Sequence, residues 1–411
     1  MSGLDIALTK KDFPILEREV NGKRLVYLDS ASSSQKPNAV LDAMDRLYRE
    51  YYANVHRGVY QIAAEASDAY EAARASVARF IGAPDTRELV FTRNATEAIN
   101  LVAYSWGRSF LRPGDAVVLT EMEHHANIVP WQILAAERGI ELRWVPMTDA
   151  YELDRAALPA LLDGAALFAF TAMSNVLGTI NDVPELATLA RAAGARVLVD
   201  ACQSIPHMPT NVAQWDADFV AFSAHKMCGP SGVGALWARA ELLEAMPPFL
   251  GGGDMIRDVT FDGFTSNDIP WKFEAGTPAI AEVIGFGAAA EYLDHIGMTR
   301  VRNHERELTT YALNALTHAF GETLRIYGPT DIDRREGAIS FLFEGIHAHD
   351  ISQVLDEAGV CVRAGHHCAK PLMRRLGVPA TSRASSYIYN DEADIDALVS
   401  ALDRAAAFFV L

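Results

Sequence analysis

Cysteine is scarce in this chain, with four in 411 residues at Cys202, Cys228, Cys361 and Cys368. Four thiols scattered over such a length do not make a disulfide framework. Basic residues are also short: 36 Lys and Arg stand against 53 Asp and Glu, giving a formal charge of −17. Binding to nucleic acid or to an anionic membrane draws on Lys and Arg, so neither partner is expected. No apolar run approaches the ~18 residues of a membrane span. The opening stretch MSGLDIALTKKDFPIL has no uninterrupted apolar segment of the signal-peptide kind. The expectation is a cytoplasmic protein. Internal repeats, low-complexity tracts and long linkers are absent as well, which argues against a solenoid or a disordered chain.

What is present is globular. Half the residues are hydrophobic and 22% are charged, ample for a buried core, and the length exceeds one ordinary core, so two domains are expected. From about residue 65 to 250, helical periods alternate with short apolar runs. SDAYEAARASVARFIG, ATEAINLVAYSWGRSFL and IVPWQILAAERG read as helices. RELVFT, DAVVLTEMEH, ELRWVPM, AALFAFTAMSN, ARVLVDACQS, ADFVAFSAHK and GVGALWA read as strands. Continuous apolar strands alternating with helices imply a mainly parallel α/β sheet buried on both faces. After residue 290 the pattern changes: one long helix, AAEYLDHIGMTRVRNHERELTTYALNALTHAF, leads to short strands and two more helices. That predicts a smaller α+β unit at the C-terminus.

Ligands of an open α/β sheet sit beyond the carboxyl ends of its strands. Three predicted strands end in polar groups there: RVLVD at Asp200, followed by Gln203; DFVAFSAHK at Ser223, His225 and Lys226; and VVLTEMEHH at His124. A strand-end carboxylate commonly just caps a helix. A lysine is usually solvated, yet this one follows an apolar strand and precedes the glycine-rich GPSGVG. Taken out of water, a lysine becomes a nucleophile that forms Schiff bases. Pyridoxal phosphate (PLP) asks for this set: a lysine to hold it covalently, a carboxylate for its ring nitrogen and donors for its phosphate. RNATEAIN supplies a separate phosphate site, with Asn94 as a helix cap and Ala95 and Thr96 offering N–H groups at the positive helix end. In RAGHHCAKP, two histidines abut Cys368; read alone, that segment suggests a metal site.

These motifs carry a resemblance. SAHKMCGPSGVG looks like the PLP-lysine signature of class V aminotransferase-like, fold-type I enzymes. MEHHANIVPWQ, SNVLGT, LVDACQS, FEAGTP and RAGHHCAKPLM together resemble the group II cysteine desulfurases, the SufS type. The matches run in order from NGKRLVYLDSASSSQKP to SRASSYIYN, nearly the whole chain. The resemblance implies an α/β fold of type I. A large domain would hold a mainly parallel seven-stranded sheet flanked by helices, with a smaller α+β domain at the C-terminus. It divides the chain into an N-terminal segment, 1–20, packing with the small domain; a PLP-binding domain, 21–290; and a small domain, 291–411, that carries the nucleophilic cysteine.

Residue by residue, the resemblance implies that Lys226 binds the cofactor covalently and later moves the proton at substrate Cα. Asp200 is the pyridine-nitrogen partner, Gln203 the donor to the cofactor's phenolic oxygen, and His124 the ring that stacks on it and takes part in catalysis. Ala95, Thr96, Ser223 and His225 form the phosphate cup. Gly276 and Thr277 of FEAGTP reach the phosphate of a partner subunit, which implies a homodimer. Asn175, also at the cofactor, and Arg383 clamp the substrate carboxylate; arginine suits this because its planar fork binds carboxylate bidentately. His56, Arg57 and Arg363 line the entrance. Cys368 is the nucleophile. It must act as a thiolate, and an ordinary cysteine is only a few per cent ionised at pH 7. His366, His367 and Arg363 are the neighbours expected to raise that fraction.

The implied reaction converts L-cysteine to L-alanine and leaves a persulfide on Cys368. The sulfur then passes to a SufE- or SufU-type acceptor for iron–sulfur cluster assembly. L-selenocysteine is an alternative substrate, and a selenocysteine lyase or another PLP lyase of this fold is the alternative enzyme. From another class comes a metal-binding protein using Cys361, His366, His367 and Cys368. It leaves Lys226 and Asp200 unexplained, and adjacent histidines in an extended segment face opposite ways, so no metal is expected. Four positions depart from the family pattern: Asn94-Ala95 in place of Gly-Thr, Tyr60 in place of histidine, a serine-rich LDSASSSQKP turn, and Lys370 two residues after Cys368. Elsewhere the readings are structural. GFGAAA from Gly285 has the G-x-G-x-x-A spacing but no preceding strand. GGGD at Gly251 reads as a turn, Cys202 and Cys228 as packing residues, and His347 and His349 as inert strand-end residues.

Overall fold

A computed structural model describes residues 3–409; positions 1–2 and 410–411, the outer ends of the expected first and last segments, lie outside the described residues. The apolar runs form one seven-stranded sheet. Its strands are β1 (Leu89–Thr92), β2 (Ala116–Thr120), β3 (Glu141–Val145), β4 (Ala165–Thr171), β5 (Arg196–Asp200), β6 (Phe219–Ser223) and β7 (Gly234–Ala238), in the order β1-β7-β6-β5-β4-β2-β3. Pairings from β6 through to β3 are parallel, while β7 runs antiparallel to both β1 and β6. Alternating side chains serve two cores. Phe168, Phe170, Val197 and Val199 belong to one; Leu167, Ala169, Leu198 and Ala221 belong to the other. A strand buried on both faces has no polar side, which explains the unbroken apolar runs.

The strand predicted over DAVVLTEMEH stops earlier, at Thr120. Glu123 turns back there to accept hydrogen bonds from Thr120 Oγ1 (2.6 Å) and Asn127 Nδ2 (2.7 Å), so His124 and His125 sit on a tight turn and not on the strand.

The expected single long helix is two, Ile280–Ile296 and Met298–Phe320, broken at Gly297 with φ of 89°. Only glycine adopts that backbone readily. Position 290 lies inside the first helix, which packs against Gln61–Phe80, with Gly287 tight against Ala73. GFGAAA is therefore helix interior and has no phosphate-binding turn.

Beyond the break, β8 (Leu324–Tyr327), β9 (Ala338–Phe343), β10 (Arg363–Gly365) and β11 (Thr381–Ser385) form an antiparallel sheet in the order β8-β9-β11-β10. Three helices follow the first strands of this sheet, Ala348–Glu357, Lys370–Leu376 and Glu392–Phe408, one more than the periodicity suggested. His347 is not at a strand end: its ring caps Ala348–Glu357, accepting from His349 N–H. The N-terminal stretch lies against these late residues. Lys10 pairs with Asp391 at 2.6 Å, Phe13 meets Tyr389 edge to face, and Val26–Tyr27 pairs in parallel with Val360–Cys361.

Candidate active site

The carboxyl ends of β4, β5 and β6 open into a cavity of about 240 Å³, whose walls include Asn94, Ala95, Thr96, His124, Asn175, Asp200, Gln203, Ser223, His225, Lys226, Arg363 and Arg383. The topology dictates this convergence. Asp200 lies opposite Ala221 across the β5–β6 pairing, and Lys226 follows Ser223 by three residues on a 3₁₀ turn. Among the described residues Lys226 Nζ has no hydrogen-bond or ion-pair partner. Asp200 is buried and accepts one bond, from Cys202 N–H at 3.1 Å. A buried carboxylate with an uncommitted oxygen facing a cavity is costly unless a donor arrives.

The upper wall is a helix start. Asn94 caps Ala95–Leu101 by accepting from Glu97 N–H at 3.0 Å, and Ser223 Oγ accepts from Ala95 N–H at 2.9 Å. Strand β7 presses on this turn: a Cβ on Gly234 would lie 2.7 Å from Asn94 Cα. Two histidines are held neutral in this wall. His124 falls to about 4 through burial first and then the nearby Lys226 charge; His225 falls to about 4 through burial, Lys226 and Lys36. Gln203 donates to Ala31 O at 2.8 Å.

The opposite wall comes from the antiparallel sheet. Arg363 on β10 is the register partner of Arg383 on β11, and like charges directly opposed destabilise a sheet. Arg383 is fully buried; it donates to Asn175 O (2.8 Å), Asp29 Oδ1 (3.0 Å) and Ser32 Oγ (2.8 Å). Burial, more than any charge, lowers its proton affinity. Arg363 donates to Ser32 Oγ at 2.9 Å and approaches Cys368 Sγ at 3.8 Å. Asp29 pairs with Arg383, and among the described residues Arg363 has no carboxylate partner, so positive charge is left unspent, a fit for an incoming carboxylate.

Cys368 is half-buried just behind Arg363 and is not itself part of the cavity wall. The expectation for its neighbours is corrected in part. The His367 ring points to Thr381, with Nε2 2.9 Å from its Oγ1, so it cannot assist the thiol; burial and then Arg383 hold it near 2. His366 Nδ1 accepts the Cys368 N–H at 3.2 Å, leaving Arg363 as the group at the sulfur. Cys361 is carried off on the strand paired with Val26–Tyr27. Among the described residues no group of three or more His, Cys, Asp or Glu is placed to hold a metal ion.

Four expected residues are not brought here. Gly276 and Thr277 line a separate cavity of about 330 Å³ with Tyr70, Arg93 and Phe249. His56 bonds Glu71 at 2.9 Å, and Arg57 pairs with Asp254 at 2.7 Å. Asn175 faces the cavity, but its Nδ2 is committed to His367 O at 2.8 Å. Asp29 and Ser32 were missed as site residues. The unusual serine content of LDSASSSQKP was the available signal, but nothing in it pointed to two arginines more than 300 positions away. Cys202 and Cys228 are buried; burial pushes the Cys228 thiol up to about 12 and the Cys202 thiol higher still.

The sequence and fold have known counterparts. The family profile described as aminotransferase class-V matches residues 26–398. A probable cysteine desulfurase of Streptomyces coelicolor is 50% identical over 412 residues, covering 99% of this chain and 98% of that protein. Among solved structures, the cysteine desulfurase CsdA of Escherichia coli has a TM-score of 0.91 at 41% identity, covering 99% of this chain and 100% of its own. The cysteine desulfurase of Thermococcus onnurineus has a TM-score of 0.93 at 38% identity, covering 98% of each chain.

Proposed function

The chain belongs to the aminotransferase class-V family, and from that premise we propose that it is a PLP-dependent cysteine desulfurase. The observation that carries this reading is the placing of Cys368 against Arg363 at a crevice that holds Lys226 and Asp200 on its floor. The residues fit the cofactor: among the described residues Lys226 has no counter-ion, Asp200 has an oxygen to spare, and Ala95, Thr96 and Ser223 form a cradle kept tight by Gly234. Lys226 would hold the cofactor covalently, Asp200 its ring nitrogen, Gln203 and His124 its ring, and Thr96, Ala95, Ser223 and His225 its phosphate. When bound, PLP supplies an electron sink that makes the substrate Cα–H acidic and its sulfur a leaving group.

The chain's own groups do the rest. Arg383, with Asn175 beside it, binds the carboxylate of L-cysteine and aims the thiol toward Cys368. Lys226 takes the proton from Cα. The Cys368 thiolate attacks the substrate sulfur: an S–S bond forms as the substrate Cβ–S bond breaks, and the electron pair stays with carbon. Protonation of that carbon and return of a proton from Lys226 to Cα yield L-alanine and leave a persulfide on Cys368. The half-exposed loop and the exposed Lys370 support transfer onward to an acceptor protein of SufE or SufU type for iron–sulfur assembly. L-selenocysteine would enter by the same clamp.

A homodimer belongs to the same reading. Gly276 and Thr277 lie away from their own chain's Lys226 and would serve a partner's phosphate. Val59, Tyr60, Phe261 and Phe264 are exposed apolar residues that a second copy would cover. In the same reading residues 21–290 form the cofactor-binding domain and residues 291–411 the small domain that carries Cys368. The test is sulfide and alanine release from L-cysteine. C368A should lose both while keeping the visible absorbance of bound cofactor; K226A should lose activity and absorbance together. Full activity in C368A would overturn the role given to this cysteine.

A further inference from the structure

His367 and Cys368 both have left-handed backbones, with φ of 49° and 57°. Residues with side chains avoid this region, and two in succession persist only where surrounding structure holds them. The groups that hold them come from the large-sheet side. His125 N–H donates to Cys368 O at 2.8 Å, and Lys370 N–H donates to His125 Nε2 at 2.9 Å. Asn175 Nδ2 donates to His367 O, and the His366 ring lies 5.7 Å from the His125 ring. A single residue thus grips the chain at Cys368 itself and again two residues beyond it, once through its backbone and once through its ring. The ring can accept at Nε2 only as a neutral imidazole protonated at Nδ1. His125 is not part of the cavity wall.

We propose that His125 is a positioning residue, its ring accepting the Lys370 N–H so that the Cys368 loop is kept in its left-handed conformation with the sulfur against Arg363. The proposal rests on the reading of Cys368 as the nucleophile. It adds a role for the second histidine of MEHHAN, which stands beside the cavity histidine His124. One turn then sets both walls of the site, and the position of the thiol follows the position of His124.

The test is the rate at which iodoacetamide alkylates Cys368, located by peptide mass spectrometry in the full-length protein with its cofactor, together with sulfide release from L-cysteine. Without the ring acceptor the loop opens, so H125A should alkylate about fivefold faster, the weight of one hydrogen bond. Its sulfide release should fall about tenfold as the thiol loses its aim, while the cofactor absorbance stays as in the unmodified protein. H125Q, whose amide oxygen can accept the same N–H, should restore both rates. If H125A does not fold, H125L fills the space without an acceptor and carries the same expectation. Alkylation of the Ala or Leu variant at the unmodified rate overturns the proposal, and so does a Gln variant that restores nothing. An unmodified protein that releases no sulfide would instead overturn the desulfurase reading, and the alkylation contrast would still decide the role of His125.

Discussion

On the floor of the cavity, Asp200 and Ser223 stand at the ends of adjacent parallel strands, and Lys226 follows on a single 3₁₀ turn. At its mouth, Cys368 sits on a loop with two consecutive left-handed residues, tied to the large sheet through His125 and Asn175. The floor is made by regular structure: once the strands pair, their ends must meet, and burial on both faces keeps them there. The mouth is made by long-range hydrogen bonds on a backbone that would otherwise relax. A site that must bind a cofactor rigidly and also hand sulfur to a partner gains from that division. The part that stays put is in the sheet; the part that must be reached is on a loop.

Substitutions should therefore act differently in the two regions. The largest effect is expected on the floor. D200N keeps the shape and removes the charge, and loss of one electrostatic stabiliser in such a site costs about 10²–10³ in rate. Steady-state kcat with L-cysteine checks this, and a tenfold loss or less would mean that Asp200 is not the ring-nitrogen partner. A smaller effect is expected at the mouth from G365A. Gly365 has φ of 128° with open space around a Cβ, so the cost is backbone strain alone, about 1–3 kcal/mol. Urea unfolding should show it, with activity reduced and cofactor absorbance intact; a loss of absorbance would mean that floor and mouth are not separable.

Counted per group and per pH unit, the smallest effect is on pH dependence, and it divides between the two regions. His124 and His225 in the upper wall titrate near 4, and His367 at the mouth near 2, all below the ordinary value of 6.5. Below pH 6.5 the unfolded chain binds protons that the folded chain refuses. Stability is then full above pH 6.5 and falls as the pH drops toward 4, by roughly 1.4 kcal/mol per pH unit for each histidine. Unfolding midpoints at pH 7 and pH 5 measure the sum. H367N, which removes the lowest-titrating ring, should flatten the slope; an unchanged slope would mean that this ring is not shielded.

Much of the floor was legible. Continuous apolar runs ending in Asp200, and in Ser223, His225 and Lys226, are local signals, and the rule that ligands sit at strand ends converts them into a place. The Asn94 cap was legible for the same reason. The mouth was less so. Cys368 stood out by its residue type and its resemblance to a family motif, but the roles of its neighbours did not. His366, His367 and Arg363 were equally close in sequence, and only the folded chain turns His367 to Thr381 and leaves Arg363 at the sulfur. The break at Gly297 was hidden because the helical period continues through it, and a glycine inside such a pattern is often tolerated.

By itself, then, the sequence determined the alternating layers, the strand ends that carry Asp200 and Lys226, and the presence of one cysteine among histidines near the C-terminus. Each of these is written in neighbouring residues, through periodicity, capping and burial. Only the tertiary structure decided that Arg383 meets Asp29 across 354 positions, that Arg363 is the group at Cys368, and that His125 grips Lys370 across 245. Such contacts leave no periodic trace, because each rests on one donor and one acceptor brought together when the two sheets close around the cavity.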